Sequence, residues 1–281
     1  MEKGTLYICG TPIGNLEDIT IRQLKCLRLV DFIACEDTRH TLKLLSRYNI
    51  KAKLISFNEH NYNKRSEEVL ALLQEGKNIA LVSDAGMPII SDPGAGIVKL
   101  CMDNGINCTT VPGPTALISG FILSGITSDV QGFVFGGFFP KDNKNRKEEL
   151  ETLKTRTQPT IYYEAPHRIK KTLEILQADL GDDRQAAVVR EITKVYEESI
   201  HGGLSELVAH FEKNEPRGEI VIVIEGVDND SAAAEYESLT IKEHVDMYLG
   251  AGVELKDAMK RVAKDRGVSK RDIYAEIHIE K

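Results

Sequence analysis

Over the first 120 residues, short apolar β-branched runs alternate with amphipathic stretches at a spacing of roughly 25 residues. That alternation is the pattern of a parallel sheet with covering helices. Strands are expected at Thr5 to Cys9, Phe32 to Cys35, Lys53 to Phe57, Asn78 to Ser83 and Cys108 to Val111. Between them lie helices at Thr20 to Leu29, Thr38 to Tyr48, Lys64 to Gln74 and Gly96 to Asp103, the last two closed by Gly76 and Gly105, and a final helix runs from Thr115 to Leu123.

Beyond Ser124 the texture changes to GFVFGGFF, a glycine and aromatic strand, followed by the charged run KDNKNRKEEL. Further strands near Thr160 to Tyr163, Gln185 to Glu191, Glu197 to His201 and Glu219 to Glu225, with helices at His167 to Asp179 and Leu204 to Lys213, make a second α/β domain of mixed character. The polar, small and acidic stretch DNDSAAAEYE reads as a linker. From Leu239 the chain is helical: Thr240 and Glu243 form a capping box, Gly267 stops a second helix and Ser269-Lys-Arg-Asp272 caps a third. The expected plan is α/β: residues 1–124 form a first α/β domain, 125–228 a second, 229–238 a linker and 239–281 a small C-terminal helical domain.

No apolar stretch approaches the roughly 20 residues of a membrane span, and MEKGTLYICG enters a strand directly, so a cytoplasmic protein with no membrane partner is expected. Cys9, Cys26, Cys35, Cys101 and Cys108 lack C-x-x-C spacing and sit mostly in apolar runs, which predicts buried thiols and no metal site. A net charge of −7 argues against nucleic-acid binding over the whole surface, because such affinity comes mainly from cations that neutralise phosphates. Any such contact must be local, and DNA is not expected as a partner.

Glycines cluster where strands end: Gly10-Thr-Pro-Ile-Gly14, Asp84 to Gly94 and Pro112-Gly-Pro-Thr-Ala116. One such loop is an ordinary turn, but three at the carboxyl edge of one parallel sheet make a ligand cleft. The first is no dinucleotide fingerprint, since it lacks a third glycine, carries Pro12 and leads into Glu17-Asp18. Carboxylates there would repel phosphate, so a ligand with hydroxyls and positive charge fits better than a nicotinamide dinucleotide. Cys35-Glu-Asp-Thr-Arg39 brings Glu36, Asp37 and Arg39 to the same edge, with helix capping by Asp37 as its plainer role. Tyr163-Glu-Ala-Pro-His-Arg168 is the matching cluster of the second domain, where Pro166 at the first helical position and an ion-paired Arg168 would be the purely structural account. A basic stretch from Lys256 to Arg271 is a solvated face or, on a helical domain of this rhythm, a phosphate-binding patch that Lys141, Lys144, Arg146 and Lys147 would extend.

Taken in order, GTPIGNLEDIT, EDTR, SDAGMPIISDPG, VPGPTA, YEAPHR and PRGE resemble the tetrapyrrole methylase superfamily over residues 4 to about 226. With the helical tail, the set is similar to the branch of that family that methylates the ribose 2′-oxygen of a cytidine in the decoding region of 16S rRNA. The resemblance implies two α/β domains with S-adenosylmethionine in the cleft between them, and a homodimer. It implies cofactor contacts at Ile13, Asp84, Met87, Thr115, Ala116, Tyr163, Arg190 and Arg217. A ribose hydroxyl is a weak nucleophile that must be oriented and deprotonated. Glu36 or Asp37 is therefore the expected base or hydroxyl-orienting group, Arg39 fixes the carboxylates or a substrate phosphate, and Glu164 is held in reserve. Contacts to RNA are expected from Lys141, Lys144, Lys256, Lys260, Arg261, Lys264, Lys270 and Arg271. The rival readings are a precorrin-like tetrapyrrole methylase and a non-catalytic RNA-binding assembly factor.

Overall fold

The computed structural model describes residues 2–58, 61–90, 95–127, 132–227, 239–250, 253–266 and 268–278, with only the backbone of Ala95, Lys264 and His278. The alternating pattern folds as expected. Strands β1 (Thr5–Cys9), β2 (Phe32–Cys35), β3 (Lys53–Ser56), β4 (Ile79–Val82) and β5 (Asn107–Val111) form one sheet in the order β3-β2-β4-β1-β5, all parallel. Helices α1 (Ile21–Leu29) and α2 (Thr38–Arg47) supply Cys26, Leu27 and Leu45 to the apolar layer on one face. Helices α3 (Tyr62–Gln74) and α4 (Ala95–Asp103) supply Val69, Leu73, Ile97 and Cys101 to the other. Neighbouring strands β2 and β4 thus send their connections to opposite faces, which opens a crevice at their carboxyl ends. The cysteines are free thiols, all buried but for the half-buried Cys108.

The second sheet, in the order β6-β7-β10-β8-β9, consists of β6 (Val134–Phe138), β7 (Thr160–Glu164), β8 (Gln185–Arg190), β9 (Glu198–Gly203) and β10 (Ile220–Ile224). Only the β6–β7 pair is parallel. Helices α6 (Asn143–Thr155), α7 (Ile169–Leu180) and α8 (Leu204–Lys213) cover one face through Leu153, Leu173, Leu176, Leu207 and Phe211. The other face is covered by α5 (Ala116–Leu123), whose Ala116, Leu117 and Phe121 pack on Ile161, Val189, Val221 and Val223. A Cβ on Gly120 would lie 2.7 Å from Val221, so glycine lets this helix press onto the sheet. Helix α5 thus follows the first sheet in sequence but packs on the second.

In the tail, α9 (Ile241–Gly250), α10 (Leu255–Asp265) and α11 (Lys270–His278) enclose Val245, Ala258, Met259, Val262 and Ile273. Both expected capping boxes form, Thr240 with Glu243 and Ser269 with Asp272. The expected linker 229–238 and the helix stop at Gly267 lie outside the described residues. Pro166 is not at a first helical position, because α7 starts at Ile169 after a turn in which Arg168 N–H donates to Ala165 O at 2.9 Å. Among the described residues no helix is long and apolar enough to cross a membrane.

Candidate active site at the rims of two sheets

The three glycine loops are stitched together by backbone. Thr11 N–H donates to Gly86 O at 2.8 Å and Gly86 N–H returns to Thr11 O at 3.1 Å, while Gly10 N–H donates to Val111 O at 3.1 Å. Gln23, buried at the start of α1, donates Nε2 to Gly10 O at 2.8 Å. A Cβ on Gly113 would sit 2.1 Å from that Nε2 and 3.3 Å from Gly10 Cα, so these loops approach at a distance that only glycine permits. The fourth loop joins through Asp84, whose Oδ1 accepts from Asp37 N–H at 3.2 Å. Asp37 and Asp84 therefore meet at the β2/β4 crevice, with Glu36 next to Asp37 along the chain. Ser91 to Gly94, the rest of the long loop after β4, lie outside the described residues.

Asp37 caps α2 and grips its own arginine: Oδ1 accepts from Arg39 N–H at 2.8 Å and from Nε at 3.2 Å, and Oδ2 accepts from Nη2 at 2.8 Å. These bonds, the Arg39 side chain first, lower the Asp37 carboxyl from its ordinary 3.8 to about 2. Asp37 is thus a fixed anion and a weak base. Glu36, beside it, is half-buried, and the Arg39 side chain is 86% exposed.

Ile13, on the first loop, is buried against Val189, Ile192 and Val221 of the facing lobe, in an apolar cluster that includes Ala116 and Tyr163. Met87 lies over the first loop, its sulfur 2.8 Å from where a Gly10 Cβ would stand. Thr115 caps α5, accepting from Ile118 N–H at 3.3 Å. Arg190 ends β8 and donates Nε to Glu198 at 2.6 Å. The Arg217 side chain is 79% exposed and pairs with Glu215 at 2.9 Å. The sequence reading passed over Gln23 and Lys194. The Thr20-x-x-Gln23 spacing marks Gln23 as a capping-box residue, yet nothing in it announces the bond to Gly10. Lys194 bonds Glu191 at 2.8 Å and Glu219 at 2.9 Å, beside Gly14 of the first loop.

Glu164, the reserve base of the sequence reading, lies inside the second lobe. Its side chain is fully buried; Oε1 accepts from Ala165 N–H at 2.8 Å and pairs with Arg168 at 3.2 Å, and Oε2 accepts from Thr172 at 2.6 Å. Both oxygens anchor the start of α7. On the tail, Lys256, Lys260, Arg261, Lys270 and Arg271 are exposed, and the Lys264 side chain lies outside the described residues. Arg261 sits 5.6 Å from the Tyr248 ring centre. Arg266 turns inward, donating Nε to His244 Nδ1 at 3.2 Å, and burial lowers the His244 pKa.

Two rims, one carrying carboxylates and glycine backbone and the other apolar and aromatic, fit a cofactor that joins positive charge to an apolar body. The fold is shared with the uroporphyrin-III C-methyltransferase of Thermus thermophilus, which aligns at a TM-score of 0.56 and 18% identity over 79% of this chain and 94% of that one. The sequence profile of the Tetrapyrrole (Corrin/Porphyrin) Methylases matches residues 5–208, and the chain belongs to that family. It is an S-adenosylmethionine-dependent methyltransferase. Two relatives named Ribosomal RNA small subunit methyltransferase I are similar to it. That of Bacillus subtilis is 47% identical over 99% of this chain and 95% of its own length. That of Thermotoga maritima is 50% identical over 79% of this chain and 99% of its own length. About a fifth of this chain lies outside the second match.

Proposed function

We propose that this enzyme methylates the ribose 2′-oxygen of a cytidine in the decoding region of 16S rRNA, presented by the small ribosomal subunit. The observation that carries the substrate is the near-complete match, at 47% identity, to a relative named for small-subunit RNA. The likeness to a uroporphyrin methylase stops at 18% and supports the fold alone. S-adenosylmethionine, when bound, supplies a methyl group on a positively charged sulfur. Asp84 on one rim and Ile13, Met87, Thr115, Ala116, Tyr163 and Arg190 around the seam are the residues that would hold it, and their mixture of carboxylate and apolar surface suits that charge pattern.

In this reading Glu36 accepts the ribose proton. Asp37 does not, because Arg39 keeps its carboxyl at about 2; it aims the Arg39 guanidinium outward to a substrate phosphate. Holding the hydroxyl in line can itself lower the barrier by several kcal/mol. The tail cations Lys256, Lys260, Arg261, Lys270 and Arg271 lie along the RNA path. Ile118, Ile122, Val195 and Tyr196, all exposed, support a homodimer in the cytoplasm; a monomer mass in sedimentation would remove the dimer.

The test is mass spectrometry of 16S rRNA from cells with and without the protein, beside transfer of labelled methyl to small-subunit particles in vitro. One 2′-O-methylcytidine that depends on the protein is expected. Label entering uroporphyrinogen and not RNA would transfer the case to the tetrapyrrole reading.

A further inference from the structure

On the helix-covered side of the second sheet, at the same edge as Tyr163 and Arg190, lies a cavity of about 220 Å³ lined by Phe139, Pro140, Lys141, Arg146, Arg168, Lys171, Thr172 and Ile175. Four of these side chains are cations and none is a carboxylate. Arg168 pairs with the buried Glu164 at 3.2 Å. Among the described residues Arg146 bonds only neutral oxygens, Lys141 O and Asn143 Oδ1. Neither Lys141 nor Lys171 has an ion pair among the described residues. Three uncompensated positive charges around a walled cavity repel one another, and an anion that enters gains from all three at once. The Thr172 hydroxyl is already committed to Glu164 at 2.6 Å, and Phe139, Pro140 and Ile175 give the cavity apolar surface. It therefore suits a single compact, strongly charged group.

We propose that this pocket holds a backbone phosphate of the RNA strand on which the enzyme acts. The inference rests on the ribosomal-RNA reading and gives it a second anchoring point. Position chooses a strand over a free ion. Phe139 of the pocket follows Phe138, a residue 52% exposed, whose ring stands 5.8 Å from that of Tyr163 at the lobe seam. A strand running from seam to pocket thus crosses an exposed aromatic face of the kind on which unpaired bases stack. The tail alone is a poor candidate for the whole RNA contact. Its cations and carboxylates nearly balance over residues 239–281.

The experiment uses the full chain and a small-subunit RNA fragment containing the methylated cytidine. Affinity is read as a function of salt for the natural protein and for Lys141→Ala/Lys171→Ala, two exposed positions at which truncation leaves the core intact. The double variant is expected to bind RNA about tenfold more weakly, with a salt slope shallower by about one to two, at unchanged S-adenosylmethionine affinity. Lys171→Arg alone is expected to retain the slope. A natural protein that neither binds nor methylates the RNA would remove the ribosomal reading itself. RNA bound by both proteins with equal slopes would overturn the pocket alone. A parallel titration with inorganic phosphate separates the sources: submillimolar binding that the double substitution abolishes, with the RNA slope unmoved, would mark a free-anion site and overturn the strand assignment.

Discussion

Cys35-Glu-Asp-Thr-Arg39 and Tyr163-Glu-Ala-Pro-His-Arg168 read alike: each brings a carboxylate to the end of a strand and an arginine to the start of the helix that follows. The fold sends them to opposite fates. Asp37 and Arg39 stand at the rim, with side chains 33% and 86% exposed, whereas Glu164 and Arg168 are 0% and 20% exposed beneath α7. Strand parity makes the difference. Along β7, Ile161 and Tyr163 face the seam, while Tyr162 faces the helices and Glu164 follows it by the two-residue period. The first pair is available for chemistry, and the second fixes a helix and orients one wall of the basic pocket.

The strongest way to break this contrast is kinetic. Glu36→Gln is expected to slow single-turnover methyl transfer by about 100-fold or more, the scale of a lost proton acceptor, with cofactor affinity retained. Asp37→Asn is expected to slow it by about tenfold, through loss of Arg39's orientation. Equal, unchanged rates in both would remove the first cluster from catalysis. Next comes stability: Glu164→Ala leaves Arg168 without its buried counter-charge and should lower unfolding free energy by about 3 kcal/mol in a denaturant titration. The exposed Arg39→Ala should leave the unfolding midpoint in place. If Arg39→Ala proved as costly as Glu164→Ala, the two clusters would not differ as argued.

The smallest expected effect sharpens the comparison through pH. The Asp37 carboxyl is lowered from 3.8 to about 2. Whatever the pair adds to stability is present above the unfolded value and lost as pH falls through about 2, and at so exposed a pair it is small. Across pH 5 to 9 it stays ionised, so the natural enzyme and Asp37→Asn should give pH–rate profiles of the same shape at different heights. A limb that vanished in the Asn variant would restore Asp37 as the titrating base.

Much of the first lobe was legible because its signals are local. Apolar runs and caps fixed five strands and their helices to within a few residues, and glycines at strand ends pointed to one rim. Adjacency to a motif says nothing of which way a side chain turns: Arg217 turns outward to Glu215, and Glu164 inward to Thr172. Lys141 and Arg146 were read as an extension of the tail. The structure instead groups them with Arg168 and Lys171, residues about 25 positions away that only the packing of α6 against α7 brings near.

By itself, then, the chain's order of residues determined two α/β lobes, a capped three-helix tail and a carboxylate-bearing rim, because hydrophobic period and turn chemistry act over a few residues. Only the tertiary structure decided that α5 belongs to the second sheet, that Glu164 is a strut and that four cations share one cavity. Those outcomes depend on which faces meet, and contacts between distant segments are fixed by packing and charge in space and not by spacing along the chain.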